Sequence, residues 1–165
     1  MARFRRFEVV VASGAGTDDA LDALRERRAG LRTAMNNLER AVASPAPGRI
    51  DEWVIGVRDA LESLRDVVDR HIFATEAPGG FLDEIVDAEP RLANGSQRLR
   101  EEHGEIVDMI SAASARLRSR STFATDEWVD AMRDRLMVLL GVLARHRQRG
   151  ADLVYEAYDV DIGGG

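Results

Sequence analysis

The sequence predicts an all-α fold, an antiparallel up-down-up-down four-helix bundle built from two repeated helix-hairpins. Three observations predict it. First, Asp51-Glu52-Trp53-Val54 reappears as Asp126-Glu127-Trp128-Val129, and Arg70-His71 reappears as Arg145-His146, at one constant spacing of 75 residues. Arg58/Arg133, Asp59/Asp134, Leu61/Leu136, Leu64/Leu139 and Val67/Val142 coincide at that spacing without a gap, which marks a duplicated unit. Second, four stretches carry apolar residues in alternating steps of three and four, the seam of a bundle helix. Third, the chain is 45% hydrophobic but only 5% aromatic, a composition suited to helices packed on helices around a single core. The same spacing carried backwards pairs Leu24-Arg25-Glu26 with Leu99-Arg100-Glu101, and it pairs Arg28 with His103.

Taken in order, residues 1–17 form a lead-in. Phe4, Phe7 and Val9 to Val11 suit a strap across the bundle better than a nucleic-acid or membrane contact. The bundle occupies residues 18–158. Thr17 or Asp18 is expected to cap the first helix, with acidic residues in its first turn opposing the helix dipole. Its seam reads Leu21, Leu24, Arg28, Leu31, Met35, Leu38, Val42, and Ser44-Pro45-Ala46-Pro47-Gly48 ends it. The second helix starts near Ile50 or Asp51, with the seam Trp53, Val57, Leu61, Leu64, Val68, His71, and stops soon after Glu76 at Pro78-Gly79-Gly80. A short helical piece over 81–86 follows. Pro90 fits the first turn of the third long helix, whose seam is Leu99, His103, Ile106, Ile110, Ala113, Leu117. After a polar turn, Thr125 suits the cap of the fourth, with the seam Trp128, Met132, Leu136, Leu139, Leu143, His146, Gly150. Residues 159–165 are a glycine-ended tail.

Bulk charge narrows the function classes. All 23 basic residues are arginine, and 29 acids leave a net charge of −6, which gives no support to bulk nucleic-acid binding. Cysteine is absent, which removes thiolate metal sites and cysteine nucleophiles and suits a cytoplasmic protein. The apolar run after Arg3, Arg5 and Arg6 is short and broken by Glu8, so no secretion signal is read there. No stretch approaches the roughly 20 apolar residues of a membrane span. No Ser/His/Asp set or phosphate-binding glycine loop is present, and Gly79-Gly80 and Gly163 to Gly165 read as turn and tail glycines.

Four seam positions stand out. Arg28 and His71 are equally far from the first turn, and His103 and His146 are equally far from the third. In an antiparallel bundle these four residues therefore share one layer, toward the Pro78 end, within about one helical turn (~5 Å). A polar group in a seam is costly unless partnered. A lone seam histidine is usually a hydrogen-bonded core residue, but three on one level can share a metal. Glu76, five residues beyond His71, reaches the same end, so His71, Glu76, His103 and His146 are the candidate metal ligands, a donor set suited to Fe, Zn or Mn.

Two helix-hairpins with inward histidines, and a carboxylate about one turn after one of them, resemble the hemerythrin-like (HHE cation-binding) domains. The resemblance covers about residues 18–158 and rests on His71 with Thr75-Glu76, on Glu102-His103, and on His146. It implies a four-helix bundle holding non-haem iron, mononuclear or dinuclear, and a role in binding oxygen or another small diatomic, or in sensing iron or redox state, with no turnover. His71, His103 and His146 match the family's single histidines on helices two, three and four, and Glu76 sits where a bridging carboxylate would. The sequence departs from the family at Arg28, which replaces the first-helix histidine, at Val107, which replaces a second helix-three histidine, and at Gly150 or Ala151, where a carboxylate is expected. Asp152 and Glu156 lie further along. The implied site is therefore trimmed to one metal or a vestige.

Arg28 leaves an alternative open. A guanidinium cannot coordinate a metal and repels one. Paired with Glu76, it would replace the metal charge and make the bundle a metal-free interaction module. A three-histidine, metal-dependent enzyme of the DinB-like type is a further alternative. It normally places two histidines one turn apart on a helix, whereas Val142 and Gly150 flank His146. Three readings concern residues away from the layer. Tyr155 is a candidate cofactor-binding residue at the open end, set against a simple C-terminal strap. Trp53 and Trp128 read as paired anchors at the far end. Arg145, Arg147 and Arg149 read as a solvated helix face.

Overall fold

The computed structural model describes residues 15–120 and 124–158, with side chains from residue 29 onward and without that of residue 158. The expected lead-in strap and tail therefore lie outside the described residues, as does the side chain of Arg28. Five α-helices follow one another: α1 (Ala15–Ala43), α2 (Ile50–Glu76), α3 (Phe81–Ala88), α4 (Ala93–Arg118) and α5 (Asp126–Tyr158). A 3-10 turn, Pro90–Leu92, leads into α4. No strand occurs among the described residues. The four long helices pack as a ring in which each touches two neighbours: α1 on α2 and α5, and α4 on α2 and α5. None of the helices is long and apolar enough to cross a membrane.

The apolar steps of three and four become the buried stripes. On α2 these are Trp53, Val57, Leu61, Leu64 and Val68, joined by Val54. On α5, Val129, Met132, Leu136, Leu139 and Leu143 are almost wholly buried. With Leu31, Met35, Leu38 and Val42 of α1 and Ile106, Ile110 and Leu117 of α4 they make one continuous core. Each such side chain contributes about 2 kcal/mol relative to exposure. A second, smaller cluster of Leu82, Ile85, Leu92, Leu99 and Leu153 pins α3 and the 3-10 turn against α4 and α5.

Helix ends follow local chemistry. Asp51 and Glu52 occupy the first turn of α2, Asp126 and Glu127 that of α5, each favourable to the dipole. The Trp128 amide donates to Thr125 Oγ1 at 3.4 Å, as expected of that cap. Glu127 also hydrogen-bonds the Thr125 side chain, which holds its carboxyl below the usual range. Orphan carbonyls at the end of α1 are satisfied from afar: Arg133 donates to Val42 O at 3.1 Å and Ser44 O at 2.9 Å, and Trp53 Nε1 donates to Val42 O at 3.3 Å. Trp53 and Trp128 meet edge to face, 6.4 Å between ring centres, with the Arg133 guanidinium over Trp53. Gly48 and Gly79 take positive φ (72° and 70°) in the two turns that close α1 and α2.

Boundaries differ in places from expectation. Helix α1 begins at Ala15, before Thr17 and Asp18, and α3 runs two residues past Val86 to Ala88. Pro90 heads the 3-10 turn, because its missing N–H costs nothing at the first position of a turn, and α4 begins after it.

Candidate metal centre

The inward stripes of α2, α4 and α5 each carry a histidine, and the three meet at one level. His103 and His146 are 3% and 4% exposed, and His71 is half-buried. The rings cluster, with centre-to-centre distances of 5.2 Å (His71–His103), 5.6 Å (His71–His146) and 4.7 Å (His103–His146). One ring nitrogen from each lies within 4.8 Å of the other two. His103 Nε2 is 3.1 Å from His146 Nε2, which is 3.4 Å from His71 Nε2.

Behind two of these rings stand carboxylates. Glu76 Oε1 is 2.5 Å from His103 Nδ1, and Glu102 Oε2 is 3.0 Å from His146 Nδ1. Glu76 closes α2 and is partly exposed, whereas Glu102 precedes His103 on α4 and is buried. Arg149, one turn beyond His146, donates from Nη1 to Glu102 Oε1. The connected groups run Arg149–Glu102–His146–His103–Glu76 through the bundle.

These contacts favour one tautomer. A carboxylate oxygen that accepts from the Nδ1 facing it holds the proton there, and a ring in that tautomer turns its Nε2 lone pair inward. Two lone pairs 3.1 Å apart repel unless an electrophile, a proton or a metal ion, lies between them. Burial works against the proton: it pushes His146 below the usual histidine value of 6.5, opposed by its hydrogen bond to the Glu102 carboxylate and by that carboxylate's charge, while the neighbouring His103 and Arg149 add to the depression. Two of the nitrogen separations, 3.1 and 3.4 Å, suit a shared metal. For metal–nitrogen bonds of ~2.0–2.1 Å, corners of a tetrahedron lie about 3.3–3.4 Å apart. Carboxylates on the outer nitrogens are the arrangement that orients imidazole ligands and raises their basicity.

The structure thus brings together His71, His103, His146 and Glu76, with Glu76 behind His103 and bonded to its outer nitrogen. Asp152 is turned away, accepting from Gln148 at 2.8 Å on the outside of α5. Tyr155 is 67% exposed. Val107 and Gly150 are half-buried, and neither carries a donor side chain. Two participants were not singled out from the sequence. Spacing places Arg149 with Arg145 and Arg147 on a solvated face, but its guanidinium sits on Glu102 even though the side chain is 45% exposed. Glu102 carries no role in the sequence beyond preceding His103. Its signal is positional: three after Leu99 and four before Ile106, it shares the buried face of α4.

Comparisons of the chain with protein-family models, with curated proteins and with solved structures find no match.

Proposed function

We propose that this protein binds one first-row transition-metal ion through the Nε2 atoms of His71, His103 and His146. Glu76 and Glu102 act as the outer acceptors that hold two of those ligands in place. The observation that carries the reading is the 3.1 Å approach of the inward Nε2 atoms of His103 and His146, with each ring's other nitrogen facing a carboxylate. Three imidazoles and no thiolate suit Zn, Fe, Cu or Ni and disfavour Mg or Ca. Three protein donors also leave coordination positions for water or a small diatomic ligand. We read the role as metal- or oxygen-linked binding, in an antiparallel bundle of two repeated hairpins related to the hemerythrin-like domains and reduced to a single metal. The departures at Arg28, Val107 and Gly150 support a mononuclear centre over a dinuclear one.

Metal analysis tests the reading. Protein purified without a histidine tag, stripped with chelator and titrated with Co(II), Zn(II) or Fe(II), is expected to take up about one equivalent. His103→Ala and His146→Ala are each expected to abolish stoichiometric uptake. Uptake near zero in the parent, or uptake unchanged by His103→Ala, would remove the metal and leave the histidine layer a structural feature of an interaction module.

A further inference from the structure

We infer that Arg149 is a positioning residue of this centre: by anchoring Glu102 it keeps the His146 proton on Nδ1 and the Nε2 lone pair directed inward. The inference rests on the metal reading for its significance, but its geometry is independent of any ion. Glu102 is 8% exposed, and both of its oxygens are engaged, Oε1 by the Arg149 guanidinium and Oε2 by the His146 ring at 3.0 Å. A buried carboxylate held at one oxygen only is free to rotate toward its better-hydrated side. Arg149 supplies the second hold on Oε1, which leaves Oε2 to accept from the imidazole. The placement is economical in helical terms. Arg149 lies one turn after His146, so a single face of α5 carries both the ligand and the anchor of its acceptor. Arg147, by contrast, is exposed, and the helix turns it away from that face.

Without Arg149, Oε1 has lost its charged donor and the His146 Nδ1–H loses a fixed acceptor. The neutral ring then populates its other tautomer, with a proton on Nε2. That proton points at His103 and His71 and blocks coordination there. The consequence is a mixture of ring states in the metal-free protein and weaker metal binding. Loss of an outer-shell partner of this type weakens metal affinity by about 10–100-fold.

The test has two arms. In the first, the imidazole ¹⁵N resonances of the metal-free protein are recorded at pH 7.5. The parent is expected to show His146 as the Nδ1–H tautomer, and Arg149→Gln and Arg149→Met are expected to show averaging toward Nε2–H. In the second, Co(II) affinity is read from the visible absorption of the bound ion. Both variants are expected to bind at least about 10-fold more weakly, Arg149→Lys to recover much of the loss, and Arg147→Gln to match the parent. Using both Gln and Met keeps the test available if one of them folds poorly. Parent-like tautomer and parent-like affinity in a folded Arg149 variant overturn the inference while leaving the metal reading intact. Failure of the parent to bind Co(II) overturns the metal reading, and the tautomer arm, which needs no ion, then decides the positioning claim alone.

Discussion

His146 is where burial, charge and coordination compete most directly. It is 4% exposed and faces Glu102 from α4, His103 beside it, His71 from α2 and Arg149 from its own helix. Burial, the first of its influences, lowers its proton affinity below that of the unfolded chain. The unfolded state therefore takes up a proton first as the pH falls through about 6.5, and the native state loses stability there. That contribution is present in full above this value and declines below it. Urea unfolding of the metal-free protein is expected to give a lower midpoint at pH 5.5 than at pH 7.5, with a smaller drop in His146→Gln. At this scale the sequence was informative about direction. Steps of three and four put His71, His103 and His146 inward, and they point inward. The partnership of Glu102 with Arg149 was not readable, because both residues have long side chains. Their Cα positions on a helical wheel leave their tips free to reach either solvent or the neighbouring helix.

Among the elements, the end of α2 carries the most consequence. Glu76 is its last helical residue, and the chain turns immediately after it through Gly79 and Gly80. A Cβ at Gly80 would lie 2.7 Å from the Ala77 carbonyl oxygen and 3.0 Å from that of Thr75, backbone atoms that cannot yield without unwinding the last turn. Gly80→Ala is expected to cost about 1–3 kcal/mol in urea unfolding. It is also expected to weaken metal binding, because Glu76 would move with that turn. Gly48 provides the contrast. Its φ of 72° makes Gly48→Ala destabilising by about 1 kcal/mol, but it sits in the turn between α1 and α2 and is expected to leave metal affinity unchanged. Equal loss of affinity in both variants would show that global stability, and not the α2 terminus, controls the site. The breaks between elements were legible, since proline and glycine cannot continue a helix. The stop of α3 at Ala88 was less so. Its burial of Leu82 and Ile85 against Leu92, Leu99 and Leu153 is a long-range contact that no local signal announces.

For the whole molecule, the centre ties three of the four long helices together, one histidine from each of α2, α4 and α5. On the metal-binding proposal, an ion held by all three side chains favours the folded chain over the unfolded one, so occupancy would add to stability. At free metal 100 times the Kd the gain is about 2.7 kcal/mol. Thermal or urea unfolding is expected to rise with added Co(II) or Zn(II), to return to the metal-free value with chelator, and to be insensitive to metal in His103→Ala. A metal-independent unfolding curve in the parent would contradict this coupling. Periodicity, composition and the repeated Asp-Glu-Trp-Val segments were enough to predict helices, the positions of their breaks and the histidines on the buried faces. Helical geometry sets the direction of a side chain about its axis, and that depends on residue spacing alone. Only packing decided that Glu76 would stand behind His103, that Glu102 would stand behind His146 and that Arg149 would hold Glu102. Those contacts depend on how far one helix slides and rotates against another, a matter of a few ångströms set by all the core side chains at once.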